Sequence, residues 1–235
     1  MKILLVSATL FEVRPLLSKL QFIRKHDDHV SEYRFKNITI DVLVPGIGMV
    51  QTAFALGRQL YKSKYDLAIN AGITGTFNPA LAIGSVVNVV EDCVAELGAE
   101  DGEQFLSVFD LGLADPDVKP YREGKLKNET LHSGIISSLE SVKNLPKVTA
   151  ITSNTVRGNL ASIERIRRMA PADTESMEGA AFVYACISEN VPFLQIRSVS
   201  NLIEQRDKSR WNLELALKNL NQALASILGE LTPAG

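Results

Sequence analysis

Three polar side chains stand where apolar segments of strand length hand over to segments of helical period: Glu12 after 2–7, Glu178 at the head of 179–187, and Asn201 after 192–200. Carboxylates can take protons or accept hydrogen bonds from hydroxyl groups, and an amide offers both a donor and an acceptor. Glu178 raises the sharpest question, because in TESMEGAAFVYACI (174–187) no charge follows it from Gly179 to Ile187. Such a helix reads as buried all round, and a charge at its mouth needs a reason. Each of the three also has a purely structural reading. Thr9-Leu10-Phe11-Glu12 fits a capping box, in which the glutamate reaches back to a backbone N–H. Glu178 can complement the helix macrodipole, worth only ~0.3–1 kcal/mol, and Asn201 can cap a helix or hold a turn. Singly, none of them proves a site.

The elements that must position these groups follow from alternating patterns. Buried strands are predicted over 2–7, 38–45, 66–70, 84–92, 147–153 and 192–200. Helices are predicted for FEVRPLLSKL, with Pro15 in an early turn, for the glycine-introduced GIGMVQTAFALGRQL, and for ASIERIRRM, MEGAAFVYACISEN and WNLELALKNLNQALASILGEL, the last with leucines at 213, 217, 220 and 224. This alternation predicts an α/β fold with a parallel or mixed central sheet and helices on both faces. Ligands in such sheets bind beyond the carboxyl ends of strands. The least regular stretch is 98–128, and a loop of that length is more often functional or interface-forming than idle.

Composition narrows the function. The chain has 235 residues, long enough for one sizeable domain over 1–235, with 46% hydrophobic and 22% charged residues. A formal charge of -2 and a pI near 6.0 argue against a nucleic-acid or membrane-surface partner. The first apolar run is too short for a signal peptide, and no run approaches the ~18 residues of a spanning helix. Cys93 and Cys186 sit singly in apolar contexts as reduced thiols, and His26, His29 and His132 show no ligand spacing with them. A cytoplasmic protein without metal or cofactor is expected. Gly46-Ile47-Gly48 follows a strand and opens a helix, but the third glycine and the later acidic residue of a dinucleotide fingerprint are missing.

Taken together, MKILLVSATLFEV, LVPGIGMVQTAFAL, NAGITGTFNPALAIGSVV, ESMEGAAFVYAC and PFLQIRSVSN, in this order and spacing, resemble the nucleoside phosphorylase and nucleosidase superfamily over nearly the whole chain. The layout is nearest to the hydrolytic branch, and FLSVFDLGLADPD with TESMEGAAF and WN is most similar to the futalosine hydrolases of the alternative menaquinone pathway. The resemblance implies a three-layer fold and a small purine nucleoside as substrate. It implies that Glu178 accepts hydrogen bonds from the ribose 2′- and 3′-hydroxyls, that Met177 packs on the ribose, and that Ile47 and Gly72 line the site. It further implies that Glu12 activates water against the anomeric carbon. Asn201 takes the position that reads purine N7, where adenine-specific relatives carry aspartate; an amide suits a 6-oxopurine such as hypoxanthine.

Val156 and Arg157 are expected beside the base, with Arg197 bracing the site from its strand. Trp211 either closes over the site or merely docks the last helix. Ile73 and Thr74 occupy a turn where adenosine-cleaving relatives carry serine. No arginine occurs from 59 to 121, which favours water over phosphate as nucleophile. The substrate tail carboxylate has Arg157, Arg206 and Arg210 as candidate partners. A homodimer is implied, in which the 98–128 loop of one subunit completes the neighbour's 5′ pocket. Two other functions stay open: an adenine-releasing nucleosidase for methylthioadenosine, S-adenosylhomocysteine or aminodeoxyfutalosine, and a nucleoside-binding protein without turnover.

Overall fold

A computed structural model describes residues 1–231, so 232–235 of the expected domain lie outside the described residues. In chain order the elements are β1 (Lys2–Val6), α1 (Leu10–Leu17), β2 (Gln21–Lys25), β3 (Val30–Phe35), β4 (Ile38–Leu43), α2 (Met49–Lys62), β5 (Leu67–Thr76), β6 (Val86–Asp92), β7 (Gly98–Asp101), β8 (Gln104–Ser107) and β9 (Leu126–Lys127). They continue with α3 (Gly134–Ser137), α4 (Glu140–Lys143), β10 (Lys147–Thr152), α5 (Leu160–Met169), β11 (Thr174–Ser176), α6 (Gly179–Ser188), β12 (Phe193–Leu202) and α7 (Leu213–Glu230).

The central sheet runs β11-β10-β6-β12-β5-β1-β4-β3-β2 and is mixed: β1 lies parallel to both β4 and β5, whereas β6 and β12 are antiparallel. Strand β11 also pairs with β5, so β5, β12, β6, β10 and β11 close into a ring. Alternation along β1 builds the two faces. Ile3 and Leu5 pack with α1 and α7 through Val13, Leu16, Leu220 and Leu224. Leu4 and Val6 face α2 and α6 through Leu56, Leu60, Phe182 and Val183. The expected α/β three-layer arrangement is present.

Several expectations need correction. Pro15 stands sixth in an eight-residue helix and not in its first turn, because the capping box starts α1 at Leu10. Helix α6 is not buried all round: Tyr184 is 45% exposed, covered in part by the Tyr121 ring at 6.0 Å. Ile73 and Thr74 lie inside β5, which outlasts its apolar run because β12 and β11 pair with its second half. The first part of 98–128 is not loop but the hairpin β7–β8, turned at Gly102 with φ 60°. Of the leucines expected at 213, 217, 220 and 224 of α7, Leu213 is exposed and the other three are buried.

Candidate active site

A cavity of about 290 Å³ opens beyond the carboxyl ends of β5 and β12 and is walled by the turns after β1 and β10 and by the residues entering α6. Glu12, Ile47, Val156, Arg157, Met177, Glu178, Asn201 and Trp211 all line it. Gly72 and Arg197 do not; they form its backing. A larger hollow of about 640 Å³ beside α2 shares Ala8, Thr9 and Ile47 with this cavity but contains neither Glu12 nor Glu178.

Glu12 does both things the sequence allowed. Its Oε2 accepts from the Thr9 N–H at 3.0 Å, the capping-box bond, and from the Ser7 hydroxyl at 3.0 Å. Its Oε1 accepts the Ile73 N–H at 3.2 Å from β5. Three donors therefore aim a carboxylate that caps α1 and also borders the cavity.

Glu178 precedes the first residue of α6, and its Oε1 accepts the Gly48 N–H at 2.8 Å. Gly48 has φ 97°, a conformation that glycine adopts without a Cβ penalty, so the turn can aim its N–H across 130 residues of sequence. Burial pushes the Glu178 carboxyl above the ordinary range, while the Arg197 charge and the Gly48 N–H pull it down; the nearby Glu12 adds to the rise. The next residue must be small. A Cβ on Gly179 would lie 2.2 Å from Gln195 Oε1 and 2.3 Å from Asp92 Oδ2.

Behind the two carboxylates lies a buried polar layer. Arg197, 2% exposed, donates through Nη2 to Asn70 Oδ1 and, at 3.1 Å, to Gln195 Oε1. Gln195 in turn donates to Asp92 Oδ2 at 3.0 Å, and Asp92 Oδ1 accepts the Thr152 hydroxyl at 2.9 Å. Burial pushes Asp92 up to about 6, against the pull of Gln195, Thr152 and Arg197. Sequence reading missed Asp92, Gln195 and Ser7. Asp92 carried a signal of its own, a carboxylate closing the buried run of β6.

Asn201 is neither a helix cap nor a turn residue. It lies in β12 just after a register shift between Val199 and Asn201 that sets it opposite Gly75; such bulges re-aim side chains. Its Nδ2 donates to the Leu202 carbonyl at 2.9 Å, leaving the second amide hydrogen free of that bond. The Ser200 hydroxyl lies 2.8 Å from Asn201 Oδ1 and 3.1 Å from the Thr74 carbonyl, and its single proton serves one of them at a time.

Arg157 is not available for a substrate carboxylate, because its guanidinium is clamped between Glu96 and Glu175. Arg210 pairs with Glu204 at 2.7 Å, and Arg206 lies over the Trp211 ring at 5.6 Å. Among the described residues, His26, Glu32 and Asp41 converge closely enough to ligate an ion. Arg24 and Lys2 already neutralise those two carboxylates, each at 2.9 Å, and none of the three lines the cavity.

Residues 2–231 match the profile of the Phosphorylase superfamily. The chain belongs to that superfamily. Among its relatives, the futalosine hydrolase of Streptomyces coelicolor is 31% identical over 82% of this chain and 78% of its own length. That of Acidothermus cellulolyticus is 30% identical over 96% and 90%. The crystal structure of the 5′-methylthioadenosine/S-adenosylhomocysteine nucleosidase of Colwellia psychrerythraea in complex with adenine shares the fold, with a TM-score of 0.79 at 22% identity over 98% of this chain and 96% of that one. Superfamily membership and these relatives support a nucleosidase, an N-glycosyl hydrolase acting on a small molecule. No helix among the described residues is long and apolar enough to cross a membrane.

Proposed function

We propose that the protein is an N-ribosyl hydrolase that releases hypoxanthine from futalosine. The observation that carries the hydrolytic part is the charge of the cavity lining: Glu12, Glu175, Glu178 and Glu204 face it, with Arg157 as the one cationic side chain among the described lining residues. Since Arg157 is already held by two carboxylates, a phosphate nucleophile would enter against net negative charge, whereas water enters freely. Negative charge also favours a ribosyl group that turns cationic as the glycosidic bond breaks.

In this reading Glu12 takes the proton of the attacking water, with its carboxylate held by Ser7, Thr9 and Ile73. Glu178 accepts hydrogen bonds from the vicinal ribose hydroxyls through the lone pairs that Gly48 leaves open, and Met177 and Ile47 pack on the sugar. Asn201 presents its free N–H to O6 and its Oδ1 to the proton arriving at N7, a pattern suited to a 6-oxopurine. The 30–31% identity to futalosine hydrolases supports the same substrate. Arg206, stacked on Trp211 at the cavity rim, is the cation best placed for the tail carboxylate. A cytoplasmic homodimer belongs to the proposal; Val50, Phe54 and Tyr61, exposed along one stripe of α2, support such an interface.

The test is incubation with futalosine, aminodeoxyfutalosine, methylthioadenosine and inosine, with and without phosphate, followed by chromatography of the bases. Hypoxanthine from futalosine at a phosphate-independent rate is expected. Sugar 1-phosphate products, or adenine from methylthioadenosine as the faster reaction, would overturn it.

A further inference from the structure

The proposed chemistry leaves Glu204, Glu175 and Arg157 of the cavity lining without a task, and the last two are paired with each other. Glu175 reaches the lining from β11 with its side chain only 6% exposed. Its Oε1 takes the Arg157 Nη1–H, while its Oε2 accepts no hydrogen bond among the described residues. Burial raises its carboxyl above the ordinary range, against the pull of Arg157. The Arg157 Nη2 is held by Glu96, whose Oε1 also accepts the Ser153 hydroxyl at 2.8 Å. Two carboxylates on one guanidinium are more than neutralisation needs. A partly buried ion pair in a largely apolar pocket also recovers little of its desolvation cost, so packing alone does not explain it.

Strand register shows where the pair lies relative to Asn201. Gly75 of β5 is opposite Glu175 on one side and opposite Asn201 on the other. All three line the cavity. The Cα atoms of Glu175 and Asn201 are therefore two interstrand spacings apart, roughly 9.5 Å, with Gly75 between them and the Ile203 side chain packed over that glycine. A flat bicyclic base laid on Ile203, which also lines the cavity, would meet Asn201 at one edge and the Glu175–Arg157 pair at the other.

Resting on the nucleosidase reading, we propose that Glu175 and Arg157 form a specificity pair that reads the six-membered-ring edge of a 6-oxopurine. The free Glu175 Oε2 accepts N1–H, and an Arg157 N–H donates to O6. The second in-plane lone pair of O6 remains for Asn201. Adenine presents the reverse order at this edge, an acceptor at N1 and a donor at the 6-amino group, so both contacts become like against like. Glu96, outside the cavity lining, is a positioning residue that holds the guanidinium fork. A site built to pair a substrate's polar groups rejects an analogue that mispairs them far more strongly than an apolar pocket can.

The wild-type chain gives the first test, free of any folding effect: calorimetric binding of hypoxanthine, 1-methylhypoxanthine and adenine. Hypoxanthine should bind at least tenfold more tightly than either of the others. The second is the ratio of kcat/KM for hypoxanthine release from futalosine to that for adenine release from aminodeoxyfutalosine. Glu175→Gln, which can donate to N1 of adenine, should lower that ratio by about tenfold to a hundredfold, and Glu96→Gln, which loosens the guanidinium fork, should lower it in the same direction by a smaller factor. Equal binding of hypoxanthine and 1-methylhypoxanthine, or a Glu175→Gln ratio like that of wild type, overturns the specificity pair while base release continues. If no nucleoside releases a base, the nucleosidase reading fails first and the pair falls with it.

Discussion

Gly72 offers the sharpest probe of how the backing layer aims the carboxylates. A Cβ built there would stand 2.4 Å from Arg197 Nη1 and 2.8 Å from Glu12 Oε1. Ordinary contact begins near 3.4 Å, so the guanidinium must retreat by about 1 Å and the carboxylate by about half that. Neither has slack: Arg197 is 2% exposed and tied to Asn70 and Gln195, and Glu12 is tied to Ile73, Ser7 and Thr9. A misplacement of about 1 Å at a reacting group can cost ~10²-fold in rate, and overpacking of this kind costs ~1–3 kcal/mol of stability. Gly72→Ala should therefore lower kcat for base release about a hundredfold and lower Tm by about 2–4 °C per kcal/mol lost. The control is Gly134→Ala at the exposed start of α3, where a Cβ meets nothing within 4 Å; Tm and activity should be retained there. A Gly72→Ala enzyme with the kinetics and Tm of wild type would refute the idea that this contact positions Glu12.

Further outcomes are expected. Glu12→Gln keeps the shape and removes the base, so turnover should fall by roughly 10²-fold or more while calorimetric substrate binding survives; normal turnover would leave Glu12 as a helix cap only. Glu178→Gln should weaken both binding and turnover, and a 2′-deoxy substrate should be poor for the native enzyme; equal rates on ribo- and deoxyribonucleosides would contradict the diol contact. Asn201→Asp replaces the donor toward O6 by an acceptor, which should shift the futalosine to aminodeoxyfutalosine kcat/KM ratio by roughly tenfold to a hundredfold toward the adenine substrate; an unchanged ratio would mean that Asn201 does not read the base. Asp92 tests the buried layer through pH. Its folded-state value is raised from 3.8 to about 6, so its contribution is fully present below 3.8 and is lost as pH rises through 6. That is about 3 kcal/mol over the interval. Urea unfolding of Asp92→Asn should show a flatter pH dependence than wild type between pH 4.5 and 7, and parallel curves would contradict the assignment.

The sequence alone determined the scaffold and the kinds of group at its strand ends. An apolar run such as ILLV identifies a buried strand because the covered faces of a sheet favour apolar side chains, and the motifs holding Glu12, Glu178 and Asn201 lie where strand-length segments end. Strands β2 and β3 were illegible because QFIRK and VSEYRF are half exposed and charged, and β11 is three residues long, held by partners on both sides rather than by its own pattern. Tertiary structure alone decided what each charge faces. Glu12 could be read as a cap or as a base, and only the arrival of the Ile73 N–H from 61 residues away puts it at a cavity. Arg157 read as a free cation until Glu96 and Glu175, 61 and 18 residues distant, closed on it. The reason is physical: burial and backbone period are imposed locally and leave a trace in neighbouring residues. A hydrogen-bond partner brought in by another strand leaves none.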